Sequence, residues 1–470
     1  MHDEFQLIAR IPYPVTVPRF YTVASEVATM RFLRAKGLPV PEVYAYTATS
    51  DDVVGTEYIF MEFVKGLKLT DMWMGLKEAD LASILRQVVE LECRIMSIPF
   101  PAGGSLYYAD DLEQMTRRRT NITPMLLDGE RFCVGPDVRL HMWYGRRSQL
   151  DVDRGPYEDT AGVLAAAARK EIAYLQRFGQ ALLPFQRARR EAYKHEKQSP
   201  TDHIENLERY LRMAPLLVPE DPSLHAFCIR HPDLHPSNVM VSASPESGRL
   251  EIVGMLDWQH TSILPLFLQA AIPGRLQNYG DPVSEYLFPP SLPANVGTLD
   301  EDELIAALGR HHARLVHFHY AKSTEKLNTR HHDALLDPVS LFARRLFDRG
   351  GAPWEGETHD LKTLLIEATE KWDKLAGAGV PCPVAFEADD VRKTKEFSER
   401  LQLSDENFET VQAAIGFETE TWVPTEHYEL AKARAAILKQ AVFEKIPEGE
   451  ERDKFLANWF LDDMDEEDYM

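Results

Sequence analysis

The chain has 470 residues, 44% hydrophobic and 27% charged, values of an ordinary folded protein that exclude wholesale disorder. A formal net charge of −22 argues against nucleic acid or an anionic membrane surface as the main partner. Cys93, Cys133, Cys228 and Cys382 lie far apart with no paired spacing, which indicates neither a zinc site nor a disulfide framework and fits a reducing compartment. No apolar run is long enough to cross a bilayer, and the acidic start carries no visible signal or transit peptide.

Taken in chain order, Phe5, Leu7, Ala9 and Ile11 alternate with Ile8 and Arg10, which predicts a strand that the Pro-rich stretch from Pro12 to Pro18 ends. Thr22 to Lys36 reads as a helix with Val23, Val27, Met30 and Leu33 on one side and Gly37 as its stop. Strands follow at about Val43–Tyr46 and Glu57–Phe63, and Lys65 with Gly66 turns the chain out of the second. From Asp80 the pattern is largely helical. Ile84, Val88, Leu91 and Ile95 form a stripe, a long helix is expected from about Thr160 to Glu196, and another from His203 to Leu217. Beyond a Pro- and Gly-rich loop after Pro273, helices are expected near Asp302–Lys322, Pro338–Asp348 and His359–Leu375. Residues 389–460 read as a charged helical region, closed by an acidic solvated tail from Asp462 to Asp468.

The most informative stretch lies between these helical blocks. Phe227 and Ile229, Val239 and Val241, then Ile252 and Met255 alternate as short half-buried strands, with His231, Asp233, Asn238 and Asp257 the polar residues at their ends. His-x-Asp-x-x-x-x-Asn followed by a second Asp is the spacing of the catalytic and metal loops of kinase-type phosphotransferases. Phosphoryl transfer asks the protein for a carboxylate that orients the attacking hydroxyl and for oxygen ligands that hold Mg²⁺ against the phosphates. Asp233 suits the first task; Asn238 and Asp257 suit the second. Taken singly, such Asp and Asn residues more often just satisfy a turn. Their order and apolar flanks are what favour chemistry.

Other signals are weaker. His311, His312, His317, His319, His331 and His332 invite a metal hypothesis, but their spacing puts no three imidazoles on one helical face, so they are expected to be packed or solvated. Trp143, Tyr144 and Trp258 read as core, with Trp258 beside the metal loop. No Gly-x-Ser-x-Gly elbow, Walker loop or dinucleotide fingerprint is present, which leaves hydrolase and dehydrogenase readings without support.

With these loops and the opening strand–helix–strand unit in this order, the chain resembles the aminoglycoside phosphotransferase and choline kinase branch of the protein-kinase-like fold. The metal loop, Leu256, Asp257, Trp258 and Gln259, is similar to the Ile-Asp-Trp-Glu form of that branch. Within it the chain looks most like the fungal altered inheritance of mitochondria group, on stretches from Ile8 to Pro12, Phe20 to Met30, Gly104 to Tyr108 and Arg154 to Pro156, and on its ending from Asn458. The resemblance implies an α+β, two-lobed kinase-like fold. Residues 1–65 would be a small, N-terminally truncated sheet lobe with the hinge, 66–380 a large helical lobe, and 381–470 a charged helical extension.

It also implies roles. Asp233 would orient or deprotonate the acceptor hydroxyl, His231 would brace the catalytic loop, and Asn238 with Asp257 would hold Mg²⁺. Arg10 takes the place of the fold's phosphate-gripping Lys, with Glu26 as its ion-pair partner, and the backbone around Glu62 and Val64 would meet the adenine of ATP. The implied function is ATP- and Mg²⁺-dependent transfer of the γ-phosphoryl group to a hydroxyl of a small molecule. The alternative is a non-catalytic kinase-like module that binds nucleotide or a protein partner. Two departures bear on this choice. The family's Gly-rich hairpin would precede the Phe5 strand, upstream of this chain's start, and its absence would leave that strand as a sheet edge. Arg in place of Lys grips phosphate with a planar fork rather than a point charge. By resemblance the location is mitochondrial, and cytoplasmic if Met1 is the true start.

Overall fold

The computed structural model describes residues 5–13, 16–50, 55–115, 123–127, 130–416, 425–460, 462 and 467–470. It divides into two compact units. The first comprises Met1–Tyr144, Asp151–Ala167 and Leu217–Phe347; the second comprises Gly145–Leu150, Ala168–Leu216 and Asp348–Met470.

In the first unit, β1 (Leu7–Arg10), β2 (Val43–Thr47) and β3 (Tyr58–Glu62) form an antiparallel sheet of order β1-β3-β2, with Leu7 opposite Glu62 and Arg10 opposite Ile59. The strand expected around Arg10 is therefore present and lies at the sheet edge. Between β1 and β2 runs helix α1 (Arg19–Ala35). Its apolar stripe predicts one buried face, yet every residue from Thr22 to Met30 is buried. A helix becomes buried all round when it is covered on more than one side. Here α1 packs both on the first sheet and on β5 (Ser105–Tyr108). The small residues Ala24, Ser25 and Ala28, at 0–1% exposure, make that close double contact possible.

After β3 the chain crosses onto a second sheet. The short strand β4 (Leu67–Lys68) pairs with β9 (Val239–Ala243), which pairs on its other side with β10 (Leu250–Met255). Gly66 permits that crossing: a Cβ there would sit 2.7 Å from the Val241 carbonyl oxygen. β8 (Phe227–Ile229) pairs instead with β11 (Ile263–Pro265). Helix α2 (Glu78–Met96) buries Ile84, Val88, Leu91 and Ile95 as its stripe predicts, and packs on β10 and on the long helix Glu301–Leu327. That long helix starts from a reciprocal capping box of Asp300 and Glu303.

Two departures from the sequence pattern have local causes. The helix expected from about Thr160 to Glu196 ends at Phe178. Gly179 and Pro184 interrupt it, and a Cβ on Gly179 would lie 2.3 Å from the Leu175 carbonyl oxygen. Within the region expected to be helical from Asp80 onward, a sheet of order β5-β7-β6 includes β6 (Thr123–Leu127) and β7 (Glu130–Gly135). The Asp128-Gly129 pair in the sequence is a hairpin signal that the helical reading passed over.

The second unit is helical. It contains Pro200–Met213, started by the Ser199 side chain capping Thr201 N–H with Pro200 in the first turn, together with His359–Glu370 and Ala388–Ile415. The charged region expected at 389–460 resolves into Ala388–Ile415, Tyr428–Phe443 and Glu450–Ala457, and most of the acidic tail lies outside the described residues. This unit holds a buried ionic cluster: Arg147 grips Glu171 with two bonds of 2.7 and 2.6 Å, and Lys170 adds a third at 2.8 Å.

Gly66→Ala tests the crossing. The added methyl meets backbone rather than a side chain that can swing away, so a loss of about 1–3 kcal/mol is expected in denaturant unfolding. Gly75→Ala, where nothing lies within 4 Å of the added methyl, is the control.

Candidate active site

The site is built at the ends of β8, β9 and β10. His231 follows β8 and is 5% exposed. Its Nδ1 accepts the Asp233 backbone N–H at 3.1 Å, and its Nε2 lies 2.8 Å from the Leu256 carbonyl oxygen. A backbone N–H only donates and a carbonyl only accepts, so the ring is the neutral tautomer protonated at Nε2. Burial lowers the His231 pKa to about 4, against the opposing pull of the Leu256 bond and of Asp257 and Asp233. The ring also lies 4.5 Å, centroid to centroid, from Trp258, whose indole N–H is bonded to Met255 O and which is wholly buried.

The residue before it reaches further. Arg230 donates to Glu92 Oε1 on α2 at 2.8 Å, to Gln269 O at 2.8 Å, and to the Tyr320 hydroxyl at 3.2 Å. Tyr320 donates in turn to Glu92 Oε2 at 2.6 Å. Burial opposes the charge on Arg230, but Glu92 and Tyr320 outweigh it and the pKa is raised. This cluster fastens the start of the loop that follows β8 to two helices.

Asp233 stands at the exposed tip of that loop. The Asn238 side-chain amide donates to the Asp233 carbonyl at 2.9 Å, and the Leu256 N–H donates to the Asn238 carbonyl at 2.8 Å. Asp257 comes next, with φ +63°, a left-handed backbone that Asp tolerates better than most residues. Because the Asn238 nitrogen is already committed, its Oδ1 is the atom left to ligate. Together with the Asp257 carboxylate it offers the hard oxygen donors that suit Mg²⁺.

Arg10, on β1, closes the set. Its guanidinium meets Glu26 Oε1 at 2.6 Å, Asp257 Oδ1 at 2.9 Å and Gln259 Oε1 at 2.6 Å. Burial opposes its charge, but Glu26 and Asp257 outweigh that, and its pKa is raised. Glu26 lies on the buried helix α1. Burial pushes its carboxyl up to about 7, with Arg10 pulling it back down and Asp257 pushing it further up.

The structure thus joins His231, Asp233, Asn238, Asp257, Arg10 and Glu26 through one chain of bonds. Glu62 and Val64 are not part of that chain. The Glu62 backbone N–H is bonded to Glu42 O at 2.8 Å, and its carboxylate takes Arg34 at 2.9 Å. Val64 follows β3, and a Cβ on Gly254 of β10 would lie 3.0 Å from its side chain. Among the histidines of the helical tract, His317 accepts the Asn278 N–H at 2.9 Å and His312 packs edge-on against Trp73. Among the described residues, no group of three or more His, Cys, Asp or Glu is placed to hold a metal ion.

Arg230, Glu92, Tyr320 and Gln259 carried no role in the sequence pattern. A signal existed for two of them: Glu92 interrupts the apolar stripe of α2, and Arg230 ends an apolar strand. A charge at a core position requires a partner.

A model of a phosphotransferase enzyme family matches residues 5–268 of this chain. A subtelomeric hrmA-associated cluster protein of Aspergillus fumigatus is 33% identical over 436 residues, covering 85% of this chain and 82% of that protein. Altered inheritance of mitochondria protein 9, mitochondrial, of Saccharomyces cerevisiae is 26% identical over 300 residues, 56% of this chain and 45% of that one. Among solved structures, a thermostable mutant of an aminoglycoside phosphotransferase aligns over 80% of this chain and 88% of its own at 15% identity, with a TM-score of 0.30.

Two outcomes follow from the site's packing. Glu92→Ala leaves Arg230 buried without its carboxylate and is expected to cost about 3–5 kcal/mol in urea unfolding, with Glu92→Gln costing less. For His231, the unfolded ring takes up a proton below its ordinary pKa of 6.5 while the folded ring resists until about 4. Its contribution is therefore present above pH 6.5 and is lost as pH falls toward 4. In His231→Gln, the stability lost between pH 7 and pH 5 is expected to be smaller than in wild type by about 2 kcal/mol, read from unfolding curves at the two pH values.

Proposed function

The chain belongs to the phosphotransferase enzyme family, with its two-lobed, kinase-like α+β fold, and we propose that it transfers the γ-phosphoryl group of ATP to a hydroxyl of a small molecule. The observation that supports this most is the continuous bonding of Asp233, Asn238 and Asp257. The amide that fixes Asn238 also fixes the Asp233 backbone, and the strand pairing that carries Asn238 also carries Asp257. Transfer depends on holding such groups in register rather than on covalent chemistry, and a rigid pair of strands provides this.

In this reading Asp233 orients the acceptor hydroxyl and takes its proton. Its position at an exposed loop tip gives a substrate access to the carboxylate. Arg10 carries a positive charge from the β1-β3-β2 sheet to the metal loop, where it can grip phosphate oxygens, and its pairing with Glu26 on the buried helix α1 helps keep it charged. His231 holds the loop and takes no proton at neutral pH. Asn238 and Asp257 would hold Mg²⁺, which when bound neutralises phosphate charge. Val64 and the backbone after β3 would face the adenine. No helix among the described residues is long and apolar enough to cross a membrane. The name of the Saccharomyces cerevisiae relative supports a mitochondrial location, to be tested by fractionating cells that express the protein at its native level.

Thermal unfolding with ATP and Mg²⁺ tests the reading. Wild type is expected to gain stability with the pair and little with ATP alone, whereas Asp257→Asn, which tolerates the same left-handed backbone, loses the Mg²⁺-dependent part. Asp233→Asn is expected to keep that stabilisation and to lose turnover by roughly 10²–10⁴-fold. Stabilisation without turnover on any hydroxyl acceptor would make the protein a nucleotide-binding module instead.

A further inference from the structure

Asp233 has a neighbour that the phosphotransferase reading leaves without a task. Its Oδ2 lies 3.0 Å from His235 Nε2, and the other ring nitrogen, Nδ1, lies 2.7 Å from the Ser237 hydroxyl. Residues 233, 235 and 237 therefore form a line of side chains within one loop. We infer that His235 is a positioning residue that pins the Asp233 carboxylate, and that Ser237 fixes the tautomer in which it does so. The inference rests on the phosphotransferase reading for its consequence, though not for its geometry.

The protonation pattern follows from donor and acceptor rules. An ionised carboxylate only accepts, so the neutral ring must carry its proton on Nε2. Nδ1 is then bare and accepts from the Ser237 hydroxyl. All donors in the line point the same way, toward Asp233 Oδ2, an arrangement in which each bond strengthens the next. The Asn238 amide nitrogen lies 3.2 Å from Nε2, but its productive bond is the 2.9 Å one to the Asp233 carbonyl, because a protonated Nε2 has no lone pair to offer it.

Asp233 needs such a brace. Its side chain is 68% exposed, whereas that of His235 is 23% exposed. A short carboxylate in water turns freely between rotamers, and misplacing a group that must meet a hydroxyl is costly in rate. The loop supplies rigidity at little cost in chain length. His235 has extended backbone, with φ −147° and ψ 166°, and Pro236 opens the 3₁₀ turn that carries Ser237 and Asn238. With Oδ2 occupied by His235, Oδ1 is left for the acceptor hydroxyl.

The test has two arms. In protein labelled with ¹⁵N-histidine, the His235 ring is identified by its loss in His235→Ala. It is expected in the Nε2–H tautomer, to lose that preference in Asp233→Ala, which removes the acceptor, and to become a tautomer mixture in Ser237→Ala. An Nδ1–H ring, or a spectrum unchanged in Asp233→Ala, would overturn the inference. In the second arm, phosphate release from Mg²⁺·ATP is measured. His235→Ala is expected to lower kcat about tenfold with KM for ATP little changed, the effect of one hydrogen bond to a charged group. His235→Gln, which keeps a donor, recovers part of that loss, and His235→Ala adds nothing in the Asp233→Asn background. Equal losses in both backgrounds would overturn it. A wild type with the locked tautomer and no turnover supports the brace and counts against the phosphotransferase reading alone.

Discussion

Both ring nitrogens of His231 are spent on backbone, and the rest of the site hangs from those two bonds. One holds the Asp233 N–H and so fixes where the loop turns; the other holds the Leu256 carbonyl, one residue before Asp257. A single buried imidazole thereby ties the loop after β8 to the loop after β10, although β8 and β10 belong to different sheets. The bond pattern works only for the neutral ring, and burial keeps it neutral. Trp258 packs against it, and the adjacent Arg230 is locked to Glu92 and Tyr320. The loop from His231 to Asn238 is held from behind at two successive residues, which fixes the backbone of its exposed tip.

Charge is arranged across the same joint. Arg10 is shared between Glu26 on a buried helix and Asp257 in the loop after β10, with Gln259 as a neutral third partner. Two carboxylates flank one guanidinium; burial is the main reason the Glu26 carboxyl pKa is raised, with Arg10 pulling it down and Asp257 adding to the rise. Such a cluster favours the arrival of further positive charge near Asp257. The glutamine at 259 matters in this respect: it anchors Arg10 by a hydrogen bond without adding a third negative charge.

Much of this was legible before any coordinates. The strands around residues 227–255, the stripe of α2 and the polar residues at 231, 233, 238 and 257 all follow from alternation, periodicity and spacing. Other features were hidden for identifiable reasons. The stripe of α1 gives one apolar face, but its other face is made of Thr, Ala and Ser, which read as solvent-facing unless a second sheet is known to cover them. The β5-β7-β6 sheet lies in a stretch whose pattern reads as largely helical, although the Asp-Gly pair at 128–129 of the sequence is a turn signal. The helix expected to run to Glu196 stops at Phe178, because Gly179 and Pro184 outweigh the apolar periodicity around them.

By itself, the sequence determined what backbone sterics and short spacing control: the strand–loop–strand frame, the tight loop from His231 to Asn238, and the identity of the oxygen donors at its ends. Only the tertiary structure decided which distant groups complete them. Arg10 meets Asp257 across 247 residues, and Arg230 meets Glu92 across 138. Nothing in the local pattern of either partner names the other. Those pairings are enforced because charges removed from water must find counter-charges, and which ones they find depends on how the helices and sheets pack.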